Sequence, residues 1–192
     1  MNQTWMEGLS ARLKARADYN KSGNTWTLLL LPQELQETAR RLREAEFFLE
    51  DIAGMDSTEG VVAVYHFDRF SWPGRVALYV AVPHERPEIP SISPIYDGAL
   101  WHEQECHDFF GIRFTGHPDL SPLLVPEDLG EYPLLKGQEG RSSLKELLVP
   151  GDMVERNPGF VPFLNGSSQK AGCSKAIAGS EDSTKSKVDL ES

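Results

Sequence analysis

Eleven of the thirteen prolines in this chain of 192 residues lie at or beyond Pro83. Proline has no backbone N–H to give to a sheet ladder or a helix interior. The split therefore assigns regular structure to the first part of the chain and irregular backbone to most of the second. Residues 1–24 read as an N-terminal helix, with Leu9 and Leu13 four apart. Residues 25–31 read as a buried strand ending at Pro32, which is well placed as a first helical residue. Leu35, Ala39, Leu42 and Ala45 then recur at helical spacing over 33–46. Residues 47–53 fit either a helix end or a short strand, with Gly54 as their terminator. Residues 61–67 and 75–82 read as a hairpin. In its second strand Val76, Leu78 and Val80 face one way and Ala77, Tyr79 and Ala81 the other. The expected fold class is α+β: a small mixed or antiparallel sheet with helices packed on one face, followed by a proline-rich extended arm.

Pro83, Pro87, Pro90 and Pro94 predict an extended connector that cannot join a sheet. A helix over 99–110 follows, with Asp97 as its N-cap and Gly111 as its C-cap. The expected organisation is an N-terminal helix (1–24), an α+β domain (25–111), an extended partner-binding arm (112–164) and a disordered tail (165–192) poor in large apolar residues.

The formal charge is −10, with 19 basic and 29 acidic residues. That balance argues against nucleic acid and against an anionic membrane surface as partners. The two cysteines, Cys106 and Cys173, form neither a disulfide framework nor a CxxC motif. A reducing compartment fits, and an iron–sulfur site in this chain is not expected. The longest apolar run, 28–31, is strand-sized and far short of a membrane span. Glu7 and Asp18 interrupt the basic Arg12, Lys14 and Arg16, so no targeting segment is expected.

The densest polar segment is Trp101-His102-Glu103-Gln104-Glu105-Cys106-His107-Asp108. His102-Glu103-x-x-Cys106 is a near miss to the HExxH zinc signature, with Glu103 as the base of a zinc-dependent hydrolase. Cys in place of the second His, and no evident third ligand, make it the alternative reading. Glu105 and Asp108 are three apart on the Trp101 side, where they could serve acid–base chemistry or flank an interaction anchor. Glycine-rich phosphate loops and a nucleophile elbow are absent from the sequence.

Ala99-Leu100-Trp101-x-Glu103-x-Glu105-x-x-Asp108-Phe109-Phe110-Gly111-Ile112-x-Phe114-x-Gly116-His117-Pro118-Asp119-Leu120 resembles the signature of the C-subunit family of respiratory complex I, which includes the matching subunits of energy-converting, membrane-bound hydrogenases. Residues 49–56, 61–65, 75–82, 123–128 and 133–136 resemble further blocks of that family, in order, over roughly 25–140. The resemblance implies a small α+β peripheral-arm subunit without a cofactor of its own. Iron–sulfur clusters, and a [NiFe] centre in the hydrogenase branch, would lie in partner subunits. It implies docking on a hydrogenase-like large subunit and an iron–sulfur subunit, with the membrane arm contacted indirectly, on the cytoplasmic side of the cell membrane. The complex so built would couple electron transfer to ion pumping.

By the same resemblance, Trp101, Glu103, Glu105 and Asp108 would serve docking and helix anchoring. Gly111, Gly116, His117, Pro118 and Asp119 would shape the arm, and Lys136 would pair with an acidic group of the partner. Gln104, Ser121, Pro122 and Leu135 stand where the family usually has arginine, which points to a divergent, hydrogenase-like branch. A free-standing interaction module is the remaining reading.

Overall fold

The computed structural model describes residues 4–71, 74–144, 148 and 152–156. Its main sheet has six strands: β1 (Leu13–Arg16), β2 (Trp26–Leu30), β3 (Phe48–Ser57), β4 (Gly60–Asp68), β5 (Val76–Val82) and β8 (Asp152–Arg156), in the order β3-β4-β5-β2-β1-β8. Only β2 and β5 pair in parallel; the other neighbours are antiparallel. A second sheet joins β6 (Glu88–Pro90) and β7 (Arg113–Thr115) in parallel. The helices are a single turn, α1 (Tyr19–Ser22), and the longer α2 (Pro32–Glu44) and α3 (Ala99–Phe110).

The two faces of β5 separate as its alternation predicts. Val76, Leu78, Val80 and Val82 join the large core, with Leu35, Ala39 and Leu42 of α2 and Ala99 and Cys106 of α3. Ala77 and Tyr79 turn to the back of the sheet, among Leu13, Ala15, Leu29, Val62, Val64 and Leu144. Both long helices thus cover one face, and the mixed α+β class stands. At the start of α2 the Leu31 N–H donates to the Glu34 carboxylate, satisfying a donor the helix leaves free.

The structure corrects the reading of residues 1–24 as a helix. They hold a 3-10 turn (Thr4–Met6), β1 and α1 instead. Leu9 packs in the front core and Leu13 in the back core, so their spacing of four never made one face. Burial alternates along β1, and the Arg12 N–H donates to the Leu29 carbonyl at 2.7 Å.

Gly54 does not terminate a segment either. It sits within β3 opposite Ala63, and a Cβ there would meet the Phe110 ring at 2.1 Å. The glycine leaves room for α3 to lie against the strand. The proline-rich connector does enter a sheet, because Pro90 occupies the end of β6. Asp97 is not the N-cap of α3: Gly98 takes that position without a side-chain bond, while Asp97 contributes its carbonyl to the Leu100 N–H. Gly111 does cap the C-terminus, at φ 72°. The domain also outruns its expected end at 111, since Ile112 and Phe114 are fully buried in the front core. Residues 165–192, expected as a tail, lie outside the described residues.

Gly54→Ala should destabilise the chain by about 1–3 kcal/mol through overpacking against Phe110. Denaturant unfolding measures this, and an unchanged midpoint would show that α3 can shift at no cost.

Candidate functional site

Helix α3 buries polar side chains as well as apolar ones. Glu103, Gln104 and Asp108 are buried beside Ala99 and Cys106. Each of these polar groups meets irregular backbone that has no ladder partner. Glu103 accepts from the Ser91 hydroxyl at 2.6 Å and from the Ile92 N–H at 2.8 Å. Gln104 donates to the Ser121 carbonyl at 3.2 Å. Asp108 Oδ2 accepts from the N–H groups of Leu123 and Leu124 at 2.9 and 2.7 Å. A buried backbone N–H must find an acceptor, and a carboxylate supplies a strong one.

Two more carboxylates at the end of the β3–β4 hairpin continue this clasp. Asp56 accepts from His84 Nε2 at 2.6 Å, from the Lys136 N–H at 2.7 Å and from Arg141 Nε at 3.0 Å. Burial works to raise the Asp56 carboxyl, but these donors and the Arg141 charge outweigh it and hold it below its usual range. Glu59 accepts from the Leu144 N–H and from the Ser143 and Thr58 hydroxyls. The Leu134 N–H donates to the Phe109 carbonyl, and the Thr58 N–H to Ser142. The arm therefore runs along α3, crosses the edge strand β3 and delivers Leu144 to the back of the sheet. β8 then pairs with β1 at the far edge.

The residues singled out in the sequence divide accordingly. Trp101 is 71% exposed on the outer side of α3. Glu105 is half-buried, but Asp108 is only 2% exposed and turned to the arm, so the two carboxylates do not work as a pair. Glu103, with no exposed surface, cannot touch a partner. His117 is buried too; its Nε2–H donates to the Leu100 carbonyl at 3.0 Å and its Nδ1 accepts from the Asp119 N–H at 3.1 Å. This arrangement fits the neutral imidazole. Glu103 therefore has no full counter-charge, although His117 is 4.0 Å away. Burial pushes its carboxyl up to about 7, against the lowering pull of Ser91 and Ile92.

Gly111 is confined by the Tyr132 ring, 2.6 Å from where a Cβ would stand. Gly116, at φ 85°, turns the chain before Pro118. Asp119 accepts from the Ser121 N–H at 2.9 Å. Lys136 is held through its backbone N–H, on Asp56 of this same chain.

The zinc reading is corrected. Cys106 lies in the front core, its thiol donating to the Ile52 carbonyl at 3.5 Å. Burial pushes this thiol up to about 12, away from the thiolate a metal needs. Among the described residues no group of three or more His, Cys, Asp or Glu could hold a metal ion. Asp56, Glu59, His84 and Arg141 carry the clasp, a role that the sequence did not assign to them; His84 reads there only as a possible third zinc ligand. Their partners lie as far as 85 positions away, where no local pattern reaches.

Across the arm Leu123, Leu124, Leu129, Tyr132, Leu134 and Leu135 remain exposed, as does Trp101 on α3. Large apolar side chains are thus concentrated at the surface of the strapped segment.

Residues 28–154 match the family model described as respiratory-chain NADH dehydrogenase, 30 Kd subunit. The NADH-quinone oxidoreductase C subunit of Roseiflexus sp. (strain RS-1) is 40% identical over 112 residues, which are 55% of this chain and 64% of that one. The NADH-quinone oxidoreductase C/D subunit of Phocaeicola vulgatus is 37% identical over 130 residues, 66% of this chain and 24% of that one. The chain thus spans just under two thirds of the first relative and about a quarter of the second. A chain in the structure of the membrane-bound sulfane sulfur reductase, an archaeal respiratory membrane complex, shares the fold: TM-score 0.60, 21% identity, covering 76% of this chain and 85% of that one. The chain belongs to the 30 Kd subunit family of respiratory-chain NADH dehydrogenase.

Asp56→Ala should release residues 136–144 while β2, β4 and β5 keep their protection. Hydrogen exchange should rise at least about tenfold in that segment alone, since one lost charge-assisted bond is about 1.5–3 kcal/mol. Uniform exchange would show that the arm is held otherwise. Acid should have the same effect. Asp56 is depressed in the fold, so its contribution exists above the usual carboxylate range and disappears as pH falls through its folded value.

Glu103 has the opposite sign. Its folded value, about 7, lies above its usual 4.5, so its contribution is full below 4.5 and is lost as pH rises through about 7. Glu103→Gln should therefore flatten the fall in thermal midpoint between pH about 5 and about 8. An unchanged slope would exclude Glu103 as its source.

Proposed function

We propose that this member of the 30 Kd subunit family is an accessory, non-catalytic subunit in the peripheral part of a membrane-bound, ion-pumping oxidoreductase complex. It works by presenting a docking surface to neighbouring subunits. The observation that carries the reading is the exposed apolar set of Trp101 and the arm residues, on backbone fixed by Asp56, Glu59 and Asp108. A segment ordered before binding loses less freedom on docking, so its surface converts more fully into affinity.

The partner proposed is the hydrogenase-like large subunit, with an iron–sulfur subunit alongside and the membrane arm reached through them. The relative whose name joins C and D supports a close association of this chain type with a second subunit. Electron carriers are proposed to reside in those partners, iron–sulfur clusters first, with this chain holding none. No helix among the described residues is long and apolar enough to cross a membrane. The proposed location is the cytoplasmic face of the membrane, reached through the complex.

The branch is a separate matter. The missing arginines at Gln104, Ser121, Pro122 and Leu135 favour a hydrogenase-like partner, whereas the names of the relatives favour quinone reduction. We side with the latter, because 40% identity over 112 residues outweighs four positions. Purified complex should then reduce quinone; hydrogen evolution without quinone reduction would reverse this choice.

Affinity purification of the tagged chain from native membranes should bring down a large subunit and an iron–sulfur subunit. Recovery of the chain alone would favour a free-standing module. Trp101→Ala and Glu105→Ala should each weaken this recovery, by about tenfold for the tryptophan, with the thermal midpoint of the chain unchanged. Full recovery with both would remove α3 from the docking surface.

A further inference from the structure

The clasp leaves one of its own oxygens unused. Asp108 spends Oδ2 on the Leu123 and Leu124 N–H groups, while its Oδ1 is buried without a hydrogen-bond partner among the described residues. A buried polar oxygen without a donor is costly. Asp108 also lines a cavity of about 230 Å³ between α3 and the arm, together with His107, Pro126, Glu127, Glu131 and Tyr132.

The chemistry of that lining is one-sided. It carries three carboxylates and no lysine or arginine. The His107 Nδ1–H is already spent on the Ile112 carbonyl at 3.0 Å. The matching ligand is all donor and positively charged. Flat walls refine the choice: the Tyr132 ring stands edge-on to His107 at 6.2 Å, beside Pro126. A planar guanidinium can lie against such a surface and fork its N–H groups to a carboxylate, which an ammonium cannot do.

Size excludes larger ligands. Pockets for cofactors and other small molecules run from about 300 Å³ upward. This cavity suits the head of a single side chain. It also opens within the docking surface, since exposed Leu129 and Tyr132 both line it.

We propose that the cavity is a socket for an arginine side chain of the neighbouring subunit, with Asp108 as its inner carboxylate and Glu127 and Glu131 at the sides. The socket rests on the docking reading given above. It would make Asp108 serve two masters: Oδ2 orders the arm of its own chain, and the carboxylate as a whole draws the partner's charge.

The test uses the intact complex, purified through a tag on this chain. Asp108→Asn keeps an oxygen for Leu123 and Leu124 and turns an amide donor towards the socket. Glu131→Gln removes charge from the arm without touching the Asp108 bonds. Leu134→Asp disrupts docking outside the socket. Partner subunits should leave the Asp108→Asn and Glu131→Gln complexes at least about tenfold faster than wild type during salt washes, because a close charge pair acts mainly on dissociation. An arginine of the partner should be shielded from phenylglyoxal in the wild-type complex and modified in Asp108→Asn.

Wild-type dissociation and wild-type arginine shielding in both socket variants, with Leu134→Asp releasing the partner, would overturn the socket and leave docking intact. Retention of the partner by Leu134→Asp as well would overturn docking and socket together. If Asp108→Asn lowered the thermal midpoint of the chain, Glu131→Gln and the phenylglyoxal pattern would still decide.

Discussion

Buried and half-buried carboxylates that accept from irregular backbone hold this molecule in shape. Regular elements satisfy their own N–H groups, but the connector at 91–92 and the arm at 123–144 cannot. Glu103, Asp108, Asp56 and Glu59 supply the missing acceptors from α3 and from the end of the β3–β4 hairpin. The carboxylates differ in how their charge is met. Asp56 has Arg141 and His84 beside it, and its carboxyl is held down. Glu103 has only neutral donors, and its carboxyl is pushed up. The same device in two electrostatic settings gives opposite responses to pH.

Much of the sheet and both long helices were legible in the sequence, because their signals are local. The two-sided alternation of β5 and the spacing of Leu35, Ala39 and Leu42 each repeat within one element. The N-terminal strand was not legible, because β1 is a strand only through β2 and β8, and its leucines happen to fall at helical spacing. Gly54 reads as a terminator until the Phe110 ring, 56 positions away, explains it. Pro90 reads as a sheet breaker, yet it sits at the end of a strand with a single neighbour, where a missing N–H costs nothing.

The polar segment 101–108 was legible as important but not in its role. Its density of His, Glu, Cys and Asp looks like chemistry. In three dimensions Cys106 is core, Glu103 and Asp108 are acceptors for distant backbone, and only Trp101 faces outward freely. A buried carboxylate near other titratable groups can mark a reaction centre, but it can equally mark a place where a protein must hold backbone without a ladder. The partners decide between the two, and here they are main-chain N–H groups.

The arm is downstream in sequence of everything that shapes it. The N–H groups of Leu123, Leu124, Lys136 and Leu144 find their acceptors on α3 and at the end of the β3–β4 hairpin. The apolar surface then takes its form only on a domain that has already folded, since a misfolded one offers neither Asp108 beside α3 nor Asp56 beside His84. The exposed apolar set of the arm is thereby made conditional on native structure.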